Sequence, residues 1–197
     1  MAKLHFYYSA MNAGKSTVLL QSDYNYRERG METILFVPQV DNRCGKSKIA
    51  SRIGLSADAI AVSPDFSLFD YAKEAIRKNP KIKCVLIDEA QFLTKKQVAE
   101  LGSITDYFNI PVLAYGLRTD FLGEPFEGSK YLLAHADILI EIKTICHCGS
   151  KATMNLRIDK NGKALREGEQ IEIGGNERYI AVCRKHFTEG KTASDSN

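Results

Sequence analysis

Near its start the chain reads Lys3-Leu-His-Phe-Tyr-Tyr8 and then Ser9-Ala-Met-Asn-Ala-Gly14-Lys15-Ser16. The first six residues favour a strand, and the turn that follows ends where a helix is predicted to begin. A Gly-Lys-Ser sequence between a strand and a helix fits the end of a Walker A loop, although Ser9 stands where the first glycine is usual. In such a loop Lys15 reaches the β and γ phosphates, and the Ser16 hydroxyl ligates Mg²⁺. The stretch therefore predicts a site for a nucleoside triphosphate.

Strand-like and helix-like segments alternate through residues 1–143. The predicted strands are 3–8, 33–37, 84–87, 110–115 and 138–142, and the predicted helices are 15–29, 66–78 and a third that Thr94 caps and that runs to about residue 108. Alternation at this spacing is typical of a parallel sheet covered by helices. We therefore predict that residues 1–143 form an α/β nucleotide-binding domain.

A second motif is the apolar run Cys84-Val-Leu-Ile87, which ends in Asp88 and Glu89. A buried strand that ends in acids is typical of a Walker B element, in which Asp88 would hold magnesium through water. A second carboxylate beside that ligand can act as general base on the group that attacks the γ phosphate. Because the attacker could be water or a substrate hydroxyl, Glu89 fits both an ATPase and a kinase.

Composition limits the possible classes of protein. The 197 residues are 44% apolar and 26% charged, as expected for a globular chain. A net charge of +3 is too small for binding nucleic acid or a membrane surface by bulk electrostatics. No apolar run approaches the roughly 18 residues of a membrane span, and the first eight residues lack the apolar stretch of a secretory signal. Together with five cysteines, this predicts a protein of the reducing cytoplasm.

The pattern changes after residue 143 to short strand-like pieces at 154–158, 170–173 and 179–182, separated by turns. A segment of this kind has little core of its own, so a bound metal would supply stability that packing cannot. We predict a small metal-binding domain over residues 144–190. The polar residues 191–197 are predicted to form a disordered tail.

Candidate metal ligands cluster in that small domain. Cys146-His147-Cys148 and Cys183-Arg-Lys-His186 offer five ligands in two groups. Zinc takes four ligands in a tetrahedron, and a filled site of this kind leaves no position for a catalytic water. The cluster therefore predicts a structural zinc. Cys84 is predicted to be a core residue and Cys44 an ordinary thiol in a loop.

Four motifs, in order with the cysteine groups, carry a family resemblance. They are Ser9-Ala-Met-Asn-Ala-Gly-Lys-Ser16, Asp88-Glu-Ala-Gln-Phe92, Gly116-Leu-Arg-Thr-Asp-Phe121 and Ile173-Gly-Gly-Asn-Glu-Arg-Tyr179. Over residues 3–187 the chain resembles the bacterial form of the type II thymidine kinases, some of which look similar in carrying serine at the first loop position. The resemblance implies a RecA-like P-loop domain with a parallel sheet. It also implies a small C-terminal domain, similar to a zinc ribbon, whose lasso loop closes over the nucleoside, and a homotetramer.

The resemblance implies a reaction in which ATP and thymidine give thymidine monophosphate. Glu89 matches the acceptor of the 5′-hydroxyl proton, and Arg43, in Asp41-Asn-Arg43, matches a residue that steadies phosphate charge. The residues that match the ATP and Mg²⁺ site are Ser9, Ala10, Met11, Asn12, Ala13, Gly14, Lys15, Ser16, Arg43, Asp88, Glu89, Ala90 and Gln91.

The resemblance also assigns the nucleoside pocket and the metal ligands. The pocket positions are Met11, Phe92, Leu117, Phe121, Phe126, Gln170, Ile171, Glu172, Ile173, Gly174 and Tyr179. The aromatic members could instead be plain core residues. The zinc ligands match Cys146, Cys148, Cys183 and His186, and His147 is left over. Many family members have Cys-x-x-Cys twice, whereas this chain has Cys-x-Cys and Cys-x-x-His.

Two functions of other classes share some of these features. A RecA-like ATPase that moves nucleic acid could use Glu89 to activate water and a zinc ribbon to grip a strand. Its basic residues would form a stripe interleaved with aromatic residues, and here they are scattered among acids. A binding module with a vestigial phosphate loop would have no use for Asp88 and Glu89. We therefore expect thymidine and ATP as partners, and neither nucleic acid nor a membrane.

Overall fold

The computed structural model of the protein describes residues 1–39, 48–170 and 178–193. Several residues singled out above lie outside these ranges, namely Arg43, Cys44, Ile171, Glu172, Ile173 and Gly174. The predicted strand at 170–173 is therefore described at its first residue alone.

The described strands are β1 (Leu4–Ser9), β2 (Glu32–Pro38), β3 (Lys48–Ala50), β4 (Ser56–Asp58), β5 (Ile60–Val62), β6 (Ile82–Ile87), β7 (Val112–Leu117), β8 (Ile138–Glu141), β9 (Thr144–Ile145), β10 (Lys151–Ala152), β11 (Met154–Ile158), β12 (Ala164–Leu165) and β13 (Tyr179–Val182). Six of them form one sheet in the order β5-β2-β6-β7-β1-β8. Every pairing in that sheet is parallel. The α/β fold with a parallel sheet predicted from the alternation of segments is confirmed.

The helices are α1 (Lys15–Glu28), α2 (Leu68–Lys78), α3 (Lys95–Phe108), α4 (Glu127–His135) and α5 (Arg184–Glu189), with a 3-10 turn at Ala90–Phe92. Thr94 caps α3 as predicted: its hydroxyl accepts a hydrogen bond from the N–H of Gln97, whose side chain in turn accepts from the N–H of Thr94. Within the described ranges, every helix is too short or too polar to cross a membrane.

Helices cover the sheet on both faces, which explains why its central strands are apolar throughout. One core cluster joins the sheet to α2, α3 and α4 through residues such as Leu68, Leu101 and Leu132. The other cluster includes Leu19 and Leu20 of α1. Strands buried on both sides read as continuous hydrophobic runs. Because all six strands are parallel, the loops that follow β1, β6 and β7 meet at one edge of the sheet.

The residues after β8 form short antiparallel sheets, in the orders β10-β9 and β12-β11-β13. The predicted boundary at residue 143 falls between the last strand of the large sheet and β9. The core of this part is small and contains Cys146, Ala152, Leu156 and Val182. Residues 191–193 are part of the described structure, and Thr192 is buried. The disordered tail at 191–197 stays a prediction, because residues 194–197 lie outside the described ranges.

Candidate active site and metal cluster

The loop between β1 and α1 has the shape that a phosphate site requires. Asn12 and Gly14 adopt left-handed backbone conformations with φ of 62° and 85°, which turn the chain sharply before α1 begins. The first N–H groups of this 14-residue helix, which have no partner within the helix itself, face the loop. The ammonium group of Lys15 is buried and donates to the carbonyl of Ala10 at 3.4 Å. The predicted loop residues 9–16 thus surround one cationic side chain.

Ser9 has a contact that the sequence interpretation did not include. Its hydroxyl lies 3.1 Å from the Nζ of Lys15, from which it accepts a hydrogen bond, and it donates to the carbonyl of Ala10 at 2.7 Å. A glycine at this position would leave Lys15 without that acceptor. The serine side chain therefore helps to hold the lysine in addition to shaping the backbone.

The two nucleotide motifs meet through one hydrogen bond. The hydroxyl of Ser16 donates to Oδ2 of Asp88 at 2.7 Å, although the two residues are 72 positions apart in the chain. Burial, reinforced by the adjacent carboxylate of Glu89, raises the pKa of Asp88 above its ordinary value. A hydroxyl and a carboxylate are oxygen ligands of the kind that Mg²⁺ prefers, and a bound cation would favour the ionised form of Asp88. The donor set fits magnesium.

Glu89 begins a tight turn directly after β6. Its backbone is left-handed, with φ of 50°, and it caps the 3-10 turn that follows. The side-chain amide of Gln91 donates to the Glu89 carboxylate, and its carbonyl oxygen accepts from the N–H of Leu117 at 3.0 Å. Gln91 is only 1% exposed. Gln91, predicted to contact the nucleotide, thus joins Glu89 to the end of β7 and orients the carboxylate.

The predicted nucleoside residues form two aromatic pairs. Phe92 meets Phe126 edge to face with ring centroids 5.6 Å apart, and Phe121 meets Tyr179 in the same manner at 6.5 Å. Phe121 and Phe126 are almost fully buried, whereas Phe92 and Tyr179 are partly exposed. Leu117, also buried, lies at the end of β7. The partly exposed rings are therefore the ones available to a ligand.

Gln170, predicted to contact the nucleoside, is bound to the protein itself. Its amide donates to Oδ2 of Asp120 at 2.9 Å. The other carboxylate oxygen of Asp120 accepts from the N–H groups of Leu122 and Glu124. Nearby, Arg157 donates to the carbonyl of Glu169 at 3.0 Å and stacks on the ring of Phe121. These contacts fix the segment that leads into residue 171.

The predicted metal ligands come together in space. The ligand atoms of Cys146, Cys148, Cys183 and His186 all lie within 4.8 Å of one another. Nδ1 of His186 is 3.3 Å from the sulfur of Cys146 and 3.5 Å from that of Cys183. Three sulfurs and an imidazole at these separations match the tetrahedral set that zinc prefers. The cluster could hold one metal ion.

The fifth candidate, His147, also stays close to the cluster. Its ring stacks on that of His186 with centroids 4.3 Å apart, and its Nδ1 lies 3.6 Å from the sulfur of Cys146. His147, which the predicted set of four ligands left over, therefore packs beside the cluster. The N–H of Gly149, where φ is 82°, donates to the carbonyl of Cys146 and closes a tight turn that contains His147. His147 packs on a ligand residue from outside the group of four.

Asn155 is a site residue that the sequence analysis missed. It lies on β11, 2% exposed, and its Oδ1 accepts from the N–H of Met11 in the phosphate loop at 2.8 Å. Its Nδ2 donates to the carbonyl of Thr119 at 3.0 Å. One signal was present in the sequence, namely a polar residue within the predicted strand 154–158, but that pattern also fits a strand with one face in solvent.

Comparison with known proteins agrees with this arrangement. A model of the family described as thymidine kinase matches residues 2–187. A thymidine kinase of Coxiella burnetii is 68% identical over 191 residues, which is 97% of both chains. Thymidine kinases of Zymomonas mobilis and of Legionella pneumophila strain Paris are 64% and 63% identical; the alignments cover 96% and 97% of this chain and 97% and 91% of those proteins. On the motifs, the fold and this similarity over nearly its full length, the chain belongs to the thymidine kinase family.

Proposed function

We propose that the protein transfers the γ-phosphate of ATP to the 5′-hydroxyl of thymidine, which gives thymidine monophosphate. The observation that carries the proposal is the 2.7 Å hydrogen bond between Ser16 and Asp88, with Glu89 as the next residue. It unites the phosphate loop with the acidic strand end in a single site. The names of the close relatives support thymidine as the acceptor.

Each residue of the site has a role in this reaction. Lys15 supplies positive charge to the transferring phosphate, and the N–H groups at the start of α1 bind phosphate oxygens. Ser16 and Asp88 would hold Mg²⁺, which neutralises charge on the phosphates when it is bound. Glu89, held in place by Gln91, accepts the proton of the 5′-hydroxyl as that oxygen attacks.

The nucleoside is proposed to lie between the aromatic pairs and the segment that starts at Gln170. Phe92 and Tyr179 offer partly exposed ring faces, and Met11 borders both the phosphate loop and this region. Arg43 and residues 171–174, which lie outside the described ranges, remain proposed contacts of the phosphates and the nucleoside.

We further propose a structural zinc held by the four clustered side chains, a cytoplasmic location and a homotetramer. The three thiols and one imidazole support zinc, and they need a reducing environment to stay free of disulfides. The tetramer rests on the family resemblance. Its mass in solution, measured by light scattering, tests it.

The alternative function, an ATPase that moves nucleic acid, makes a different prediction about which added molecule stimulates ATP consumption. Purified protein with MgATP is given thymidine, deoxyuridine, deoxycytidine or single-stranded DNA, and both ADP and nucleoside monophosphate are measured. We expect ADP and thymidine monophosphate in equal amounts with thymidine, and little ADP with DNA. ADP release that depends on DNA and leaves thymidine unchanged would overturn the proposal.

The role of Glu89 is tested by Glu89→Gln, which keeps the shape of the side chain and its contact with Gln91 but removes the base. We expect turnover to fall roughly 10²- to 10⁴-fold while ATP and thymidine still bind. Glu74→Gln is the matched control, because Glu74 is exposed on α2, where it pairs with Arg77 of the same helix. Turnover of Glu89→Gln close to that of Glu74→Gln would remove Glu89 from the mechanism.

A further inference from the structure

Asn155 is the buried side chain through which the small C-terminal part contacts the phosphate loop. It lies on β11, where it pairs with Ala181 of β13, so its backbone belongs to the three-stranded sheet. Both ends of its amide reach outside that sheet, the oxygen to the N–H of Met11 and the nitrogen to the carbonyl of Thr119. One side chain thus joins the sheet of the small part to the loops that follow β1 and β7.

The contact falls where the phosphate loop is most sharply bent. Met11 precedes Asn12, whose left-handed backbone is unfavourable for a residue other than glycine. A conformation of this kind persists when neighbouring contacts hold it in place. The hydrogen bond of 2.8 Å that the N–H of Met11 donates to Oδ1 of Asn155 is such a contact.

The side chain at this position needs one donor and one acceptor at fixed spacing. Asparagine has both, whereas leucine, which is similar in size, has neither. Loss of the amide would leave the partly buried N–H of Met11 and carbonyl of Thr119 without these partners, which costs more than the net value of the two hydrogen bonds. A change in the conformation of the phosphate loop that let the N–H of Met11 reach water or another acceptor would then lower the free energy.

We propose that Asn155 is a positioning residue that holds the phosphate loop in its wrapped form and so makes ATP binding depend on the folded small domain. The inference rests on the proposed ATP site at residues 9–16. Asn155 acts on ATP through Met11.

Arg118 provides a matched control for this proposal. Its guanidinium donates to the carbonyl of Thr153 at 3.2 Å, so it also joins the segment after β7 to the small part, two residues from Asn155. Its guanidinium also contacts the sulfur of Met154, so both of these partners lie in the small part. Arg118→Met therefore weakens the junction between the two parts without removing the hydrogen bond to Met11.

The experiment compares Asn155→Leu, Asn155→Ser and Arg118→Met with the parent. Exchange of the Met11 amide with deuterated water is followed by NMR without nucleotide, and KM for ATP, kcat and bound metal are measured separately. For the Asn155 variants we expect Met11 exchange to become at least about 10-fold faster and the ATP KM to rise about 3- to 10-fold, with kcat changed less and metal content unchanged. Arg118→Met should keep both the exchange rate and the ATP KM within about twofold.

Two outcomes would overturn the proposal. One is an Asn155 variant with the exchange rate and ATP KM of the parent; the other is an ATP KM that rises as much in Arg118→Met, which would indicate general loosening of the junction. If Asn155→Leu does not fold, Asn155→Ser is judged by the same two measurements. Because Met11 exchange is read without nucleotide, it tests the hydrogen bond independently, whereas failure of the parent to bind ATP would overturn the proposed function instead.

Discussion

At the scale of single residues, the buried carboxylate of Asp88 lowers the stability of the folded protein when it is ionised. Asp88 is 5% exposed and lies next to a second acid, Glu89. Burial and the neighbouring carboxylate together raise the pKa of Asp88. An acid whose pKa is higher in the folded state than in the unfolded state destabilises the fold as it loses its proton. This loss begins as the pH passes the unfolded pKa and is complete above the folded pKa. Without a bound cation, the ionisation of Asp88 therefore destabilises the folded protein at neutral pH.

We predict that Asp88→Asn makes the ligand-free protein more stable above neutral pH while it abolishes phosphoryl transfer. The amide can still accept the hydrogen bond from Ser16, but it does not ionise. Each unit of the raised pKa corresponds to about 1.4 kcal/mol, so a gain of about 1–3 kcal/mol is expected at pH 8. Urea unfolding in EDTA at pH 5 and pH 8 measures it.

The gain should be smaller at pH 5, where Asp88 of the parent still keeps its proton in the folded state. The matched control is Asp70→Asn, since Asp70 is exposed in the first turn of α2. A stability difference between Asp88→Asn and the parent that is the same at both pH values would show that Asp88 is not held protonated by burial.

The residues proposed to perform chemistry were the ones that the sequence could reveal. Lys15, Ser16, Asp88 and Glu89 stand in short motifs next to strand ends, so their proximity follows from the parallel sheet alone. Asn155 belongs to no motif. Its contact with Met11 forms only when the small sheet packs on the phosphate loop, so the sequence does not reveal it. The contact of Gln91 with Leu117 depends in the same way on the neighbouring strand.

At the scale of elements, α4 packs directly on the turn that follows Glu89. A Cβ added at Gly128, in the first turn of α4, would collide with the carbonyl oxygens of Ala90, Gln91 and Leu93. The absence of a side chain at Gly128 therefore lets the helix pack against the turn that follows Glu89, the proposed base.

We predict that Gly128→Ala destabilises the protein by about 1–3 kcal/mol and lowers kcat, because α4 must shift and the turn must follow. Gly102→Ala is the matched control, since Gly102 lies inside α3 and an added Cβ there has nothing within 4 Å. The control should be more stable by about 0.5–1 kcal/mol, the helix preference of alanine. Thermal unfolding and kcat measurements on both variants test this prediction. Equal effects of the two substitutions on stability would contradict the packing argument.

Long elements were predictable and short ones were not. The apolar run before Asp88 and the capped helix after Thr94 carry signals over many residues, and both are found where expected. The strands β3, β4 and β5 have three residues each, too few for an alternating pattern to show. Helix α4 was not assigned in advance, since it follows the turn at 122–126 without a capping side chain. Strand β7 starts and ends two residues later than predicted, at Val112 and Leu117.

At the scale of the whole molecule, the metal cluster and the phosphate loop are parts of one connected structure. Cys146 belongs to the small core, where Leu156 and Val182 are fully buried, and Cys183 packs against that core. Asn155, next to Leu156, carries that connection to Met11. The small core buries few side chains, so metal binding worth on the order of 10 kcal/mol would dominate its stability. Disorder in the small part would therefore weaken the binding of both substrates, and that of thymidine more strongly.

We predict that the purified protein holds about one zinc per chain, and that replacing any one of the four ligands, Cys146, Cys148, Cys183 or His186, lowers that content. The thymidine KM should rise more than the ATP KM, because Gln170 and Tyr179 both belong to the small part, whereas the phosphate loop is joined to that part through Asn155. His147→Ala is the matched control and should keep its zinc, since its ring stacks on His186 without belonging to the group of four. Zinc analysis of all five single variants measures this directly. Zinc lost from His147→Ala but kept in Cys146→Ser would show that the wrong residue has been chosen, and an ATP KM that rises more than the thymidine KM would contradict the route through Asn155.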